Sequence, residues 1–115
     1  MSDVISAGKN AVSVLLEKKG EDVKFLDLRK VNSYLDYFII VTGSSKMHLR
    51  SLSRSVQKVL YNEGYGLRGK PEFETEWIVL DYGELIIHIF SSESRSYYDL
   101  ERLWADAEEI EYDRK

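Results

Sequence analysis

Between residues 4 and 18 the apolar positions Val4, Ala7, Ala11, Val12, Leu15 and Leu16 recur at spacings of three and four, with Lys9, Asn10, Ser13 and Glu17 between them. That period predicts an amphipathic helix, stopped at Gly20. DVKFLDLR (22–29) and YFIIVTG (37–43) predict strands, and the second, apolar on both faces, belongs in the middle of a covered sheet. KVNSYLD links them as a loop. Gly43-Ser44-Ser45 ends the second strand and offers a serine hydroxyl to the unpaired amides of a following helix. From Lys46 to Asn62, the residues Leu49, Leu52, Val56, Val59 and Leu60 form one apolar stripe, closed at Gly64, which suits a left-handed C-terminal position. Three glycines and a proline punctuate residues 64–76, a loop with at most one short strand.

WIVLDY and ELIIHIF flank Gly83 at hairpin spacing. A two-residue turn at Gly83-Glu84 sets Tyr82 opposite Leu85, Val79 opposite His88 and Trp77 opposite Phe90. One hairpin face then carries Trp77, Val79, Asp81, Ile86, His88 and Phe90, and the other Ile78, Leu80, Tyr82, Leu85, Ile87 and Ile89. The second set reads as pure core, whereas the first is mixed. Residues 91–104 predict a third helix, capped by Ser91 or Ser92, with Tyr97, Leu100 and Trp104 on one side. The C-terminal segment DAEEIEYDRK is highly charged, and residues 108–115 are expected to form an acidic, disordered tail beyond a single domain at 1–107. The fold class expected is α/β: a small mixed sheet of four or five strands with helices packed on it.

The 115-residue length and the balance of 43% hydrophobic with 31% charged residues suit a globular domain. With no cysteine, disulfides, thiolate zinc sites and cysteine nucleophiles are excluded. No stretch approaches the roughly 18 apolar residues that span a bilayer, and the N-terminus lacks a signal-peptide core, so a soluble, cytoplasmic protein is expected. The net charge of -4 conceals an asymmetry. Residues 1–62 carry ten Lys/Arg against six Asp/Glu, whereas residues 63–113 carry four against fourteen. The acidic half favours basic partners.

Candidate chemistry is sparse. Gly43-Ser44, between strand and helix, is similar to the turn on which nucleotidyltransferases cradle phosphate, but no acid lies between Tyr37 and Asn62 to hold the metal that such chemistry needs. Lys46, Arg50, Arg54 and Lys58 recur every fourth residue along the second helix, with no acid among them; they suit an RNA backbone or a solvated face. His48 and His88 fall in no metal-ligand spacing, so no metal or cofactor is expected. For His88 the plain alternative is a hydrogen-bonded sheet histidine with Asp81 near it.

LDYFIIVTGSS, WIVLDYGELIIHIF and ESRSYYDLERLW together resemble the ribosomal silencing factor family, also called Iojap. The order Trp77, Asp81, Gly83, His88, then Arg95, Tyr98, Leu100-Glu101 and Leu103-Trp104 carries the resemblance, which spans about residues 4–107. It implies a nucleotidyltransferase-like topology without the catalytic acids, and a non-enzymatic translation regulator. Such a protein binds the large ribosomal subunit through the ribosomal protein numbered fourteen, hinders joining of the small subunit, and represses translation under nutrient limitation. Carried over position by position, it implies that Trp77, Asp81, His88, Arg95, Tyr98 and Glu101 face the partner protein. Lys46, Arg50, Arg54 and Lys58 would meet neighbouring rRNA, and a homodimer would be a form of the free protein. Gly69-Lys70-Pro71-Glu72 is one residue out of step with the family pattern, so no role passes to Glu72. A nucleotidyltransferase-like enzyme and a free RNA-binding module remain open beside this reading.

Overall fold

The computed structural model describes residues 3–112. In chain order, α1 spans Val4–Glu17, β1 Glu21–Asp27, β2 Tyr37–Gly43, α2 Lys46–Asn62, β3 Trp77–Asp81, β4 Leu85–Ser91, α3 Ser92–Tyr98, α4 Leu100–Leu103 and β5 Glu108–Glu109. The strands form one mixed sheet in the order β3-β4-β2-β1-β5. Only β2 and β4 run parallel; the other neighbours are antiparallel. This is the α/β class that the pattern predicted.

Every residue of β2 is buried, as a strand apolar on both faces requires. On one face, Phe25, Tyr37, Ile39, Val41, Ile78, Leu80, Leu85, Ile87 and Ile89 meet Ala7, Ala11, Val12 and Leu15 of α1 and Leu49, Leu52, Val56 and Leu60 of α2. On the other, Leu26, Phe38, Ile40 and Phe90 are covered by Trp77, Leu100, Trp104 and Ala107. The hairpin has the predicted register, Trp77 opposite Phe90 and Val79 opposite His88, closed by a bond from the Tyr82 N–H to the Leu85 carbonyl at 2.9 Å. Gly83 takes φ 85°, and the Asp81 carboxylate accepts its N–H at 2.8 Å, so the turn is pinned by the side chain that precedes it. Ser45 caps α2 and Ser91 caps α3.

Two expectations are corrected. The third helix is not continuous: Asp99 adopts the left-handed conformation (φ 48°, ψ 51°) and divides α3 from α4. A single helix would carry Ser94, Arg95 and Tyr98 on one side and Tyr97, Leu100 and Trp104 on another. The break lets both Ser94-Arg95-Tyr98 and Leu100-Trp104 meet the sheet, leaving Tyr97 82% exposed. Residues 108–112 do not trail away either. Glu108 and Glu109 pair with Asp27 and Leu26, the Ile110 N–H donates to the Phe25 carbonyl at 2.7 Å, and the Tyr112 hydroxyl donates to the Val23 carbonyl. Ile110 and Tyr112 pack against the core while the glutamates face solvent, a period-2 pattern hidden by the charge of the segment. The last three residues of the expected tail lie outside the described residues.

Gly8 illustrates how close the helix-to-sheet contact is: a Cβ built on it would lie 2.3 Å from Cζ of Phe25, itself buried. Gly8→Ala gains about 1 kcal/mol of helix propensity but overpacks the core at a cost of about 1–3 kcal/mol. Urea unfolding should therefore show a net loss of stability, and a more stable variant would contradict this packing.

Candidate functional site

The mixed face of the hairpin is only partly covered, and aromatic rings gather where α3 crosses it. The Trp77 ring stacks on Phe90 at 5.0 Å between centroids and lies 4.6 Å from Tyr98; Tyr97 stands perpendicular to Tyr98 at 5.0 Å. Tyr98 is half exposed and Val79 is 38% exposed. Beside Trp77, Tyr97 and Tyr98 runs a groove of about 540 Å³ whose rim bears Glu72, Glu76 and Glu93. Among the described residues none of these three carboxylates is in an ion pair. The groove is thus aromatic at its wall and anionic at its edge, with no cation among the described residues paired to its carboxylates.

Trp77 is held from behind. Its indole Nε1–H donates to Nδ1 of His88 at 3.0 Å, and His88 also meets the edge of Phe38 at 4.5 Å. Accepting at Nδ1 places the imidazole proton on Nε2, an atom that is buried and has no partner among the described residues. His88 is 6% exposed, and this burial pushes its pKa down to about 4. Asp81 does not pair with it. Asp81 stands opposite Ile86, two pairs further along the ladder from Val79 and His88, and its carboxylate caps the turn at Gly83.

Arg95 and Glu101 are committed to one another. Arg95 donates from Nε and Nη2 to the two Glu101 oxygens at 2.8 and 3.1 Å, and from Nη1 to the Thr42 hydroxyl at 2.8 Å. The fork holds the Glu101 carboxyl below the usual range, against a smaller opposing effect of burial, and Lys24 approaches at 3.7 Å. Of the six residues expected to face a partner, Trp77 and Tyr98 line the groove, whereas Asp81, His88, Arg95 and Glu101 form internal hydrogen bonds. Tyr97, Glu76 and Glu93 join the groove without having been marked in the sequence, as does Glu72. Once α3 is known to stop at Asp99, the outward direction of Tyr97 is a direct consequence.

The outer edge of β3 is largely closed. The Ser91 N–H donates to the Glu76 carbonyl and the Tyr82 N–H to the Leu85 carbonyl, so the main-chain groups of even-numbered residues face β4 and those of Trp77, Val79 and Asp81 face outwards. The Thr75 hydroxyl donates to the Trp77 carbonyl at 2.8 Å and accepts the Trp77 N–H at 3.3 Å, while the Arg68 N–H donates to the Asp81 carbonyl at 2.8 Å. Val79 alone is left between these two closures.

On the far face of the sheet, Lys46, Arg54 and Lys58 are exposed on α2, but Arg50 lies 3.7 Å from Glu74. The stripe does have a compensating acid, supplied by the loop before β3. At the start of α2 the Ser44 N–H donates to Nδ1 of His48 at 2.8 Å, and Nε2 of His48 reaches the Lys18 carbonyl at 2.8 Å. The amide that a phosphate cradle would use is therefore taken by a side chain of the protein itself. A Cβ on Gly43 would strike Leu49 at 2.6 Å, so helix packing accounts for that glycine. Among the described residues no group of three or more side chains is placed to hold a metal, and no helix is long and apolar enough to cross a membrane.

The exposed side of this α/β scaffold thus carries a ring-lined groove with carboxylates at its edge. The family model described as "Ribosomal silencing factor during starvation" matches residues 2–115, and the chain belongs to that family. The ribosomal silencing factor RsfS of Halalkalibacterium halodurans is 30% identical over 102 residues, covering 88% of this chain and 87% of its own. A crystal structure from Chromobacterium violaceum superposes with a TM-score of 0.85 at 30% identity, covering 99% of this chain and 95% of that one. The mouse protein named for mitochondrial assembly of the ribosomal large subunit is 29% identical over 99 residues, which are 81% of this chain and 42% of its own.

The depressed His88 pKa sets a pH dependence. Unfolded, the imidazole takes up a proton near its ordinary value of 6.5; folded, it resists until about 4. Its contribution to stability is thus full above 6.5 and declines as the pH falls from 6.5 towards 4. Between about pH 7.5 and pH 5 this amounts to about 2 kcal/mol. Urea titrations at both pH values should show that dependence reduced by this amount in His88→Gln; equal dependence in the two proteins would refute it.

Proposed function

We propose that the protein docks its aromatic groove on a basic protein of the large ribosomal subunit, the one numbered fourteen, and blocks joining of the small subunit by occupying the space. Translation is thereby repressed when nutrients are scarce. The observation that carries this reading is the groove at Trp77, Tyr97 and Tyr98, whose three carboxylates, Glu72, Glu76 and Glu93, are in no ion pair among the described residues. Aromatic anchors supply most of the energy in such interfaces, and complementary charge orients and speeds the encounter. Family membership and the large-subunit name of the mouse relative support the ribosomal target. Action by occupancy, without turnover of a substrate, is supported by the Ser44 amide being taken by His48 and by the absence of acids from Tyr37 to Asn62.

Exposed Lys46, Arg54 and Lys58 support an auxiliary contact with rRNA, on the opposite side of the sheet from the groove. Arg50, tied to Glu74, contributes less. A homodimer of the free protein would have to use a surface other than the largely closed edge of β3, and sedimentation of the free chain tests for it.

Pelleting with isolated large subunits tests the reading. Trp77→Ala should weaken binding by about thirtyfold, the scale of an interface hot spot. Tyr97→Ala, at a side chain 82% exposed, should also weaken it, with the melting temperature unchanged. Wild-type protein at saturation should inhibit subunit joining and Trp77→Ala should not; full joining in the presence of saturating wild type would sink the proposal.

A further inference from the structure

We propose that Arg95 and Glu101 are positioning residues that hold the groove in its docking shape and make no contact with the partner; this rests on the docking reading above. The Arg95 side chain is 10% exposed, and its Nε, Nη1 and Nη2 atoms all donate within the protein. Nothing in that guanidinium is turned towards the surface that Tyr97 and Tyr98 present.

What the pair controls is the break at Asp99. In a continuous α-helix, residues six apart are separated by about 9 Å along the axis and about 120° around it, beyond the reach of a two-bond fork. The Arg95–Glu101 fork therefore exists only with the helix interrupted, and by linkage the fork favours the interruption. Asp99 provides little anchoring of its own, since its side chain makes no capping bond and its φ is 48°. Thr42, buried at the end of β2, ties the fork to the centre of the sheet through its hydroxyl.

The two sides of the break have different tasks. Before it, Tyr98 leans over Trp77 and Tyr97 points to solvent; after it, Leu100 and Trp104 cover the sheet. Were the helix continuous, Tyr97 would share a side with Leu100 and Trp104, and turning those two onto the sheet would turn Tyr97 inwards with them. The groove would lose one wall. The fork thus selects the arrangement in which both tyrosines are available, and acts on the partner only through them.

The test measures binding of the full chain to isolated large subunits, well below each variant's melting temperature, over a range of salt concentrations. Glu101→Gln and Arg95→Lys each keep the size of the side chain but lose the charged fork. Each should bind about tenfold more weakly, and Glu101→Gln should keep the salt dependence of the wild type, because no charge facing the partner has been removed. Glu101→Gln added to a Tyr97→Ala/Tyr98→Ala variant should bind no more weakly than that variant alone, since the fork works through those two rings. A further loss when Glu101→Gln is added to the variant lacking both tyrosines, or a shallower salt dependence in Glu101→Gln, would show direct contact and overturn the proposal. So would wild-type affinity in both single variants. Trp77→Ala, measured alongside, separates the two ideas: if it binds as wild type the docking reading fails, and if it is weakened while the fork variants are not, only the positioning role fails.

Discussion

A strand that is apolar on both faces obliges the protein to cover its sheet twice, and the chain does not contain enough helix to do so evenly. All seven residues of β2 are buried. One side of the sheet receives 14 residues of α1 and 17 of α2. The other receives 7 residues of α3 and 4 of α4. Hydrophobic burial, roughly 25 cal/mol per Å² of apolar surface, drives both coverings. The thin one must therefore use side chains wherever helix is lacking. Trp77, Trp104 and Leu100 take that part, and at its margin the apolar surface continues into Val79, Tyr97 and Tyr98 without a cover. The candidate site is the place where the second layer ends.

A thin layer of large rings needs to be held in register, and polar groups placed beneath it do this. His88 receives the indole of Trp77 from within the sheet, while Arg95, Glu101 and Thr42 lock the helical segments above it. Both devices are costly to bury unless satisfied. The arginine fork is satisfied at three nitrogens, whereas the histidine carries one orphaned nitrogen and stays neutral. Rings backed in this way lose little side-chain entropy when another surface is laid on them, which is the main advantage of a prearranged interface.

Much of the frame was legible because its signals are local. The apolar period of α1 and α2, the two-sided character of β2 and the single glycine at the hairpin turn each depend on residues close together in sequence. The failures share a different cause. β5 exists because Leu26 and Asp27 offer a free strand edge some eighty residues earlier, and nothing in the segment's own charge shows that. The helix break depends on Arg95 finding both Thr42 and Glu101. Arg50 looked uncompensated because its acid, Glu74, lies in a loop beyond the helix. For the site, Trp77 and Tyr98 were legible through the family pattern, and the groove's carboxylates were not, since charged loop residues carry no period to betray their direction.

The hydroxyl of Thr75 serves as donor and acceptor for the same residue, Trp77, and so removes from the sheet's edge the main-chain groups closest to the groove. Partners that add a strand grip by a ladder that has to be unzipped bond by bond. Here such a ladder is denied beside the rings that line the groove, because, of the outward main-chain groups of β3, only those of Val79 lie between the closures at Trp77 and Asp81. The surface that the groove offers is one of side chains, rings at its wall and carboxylates at its edge.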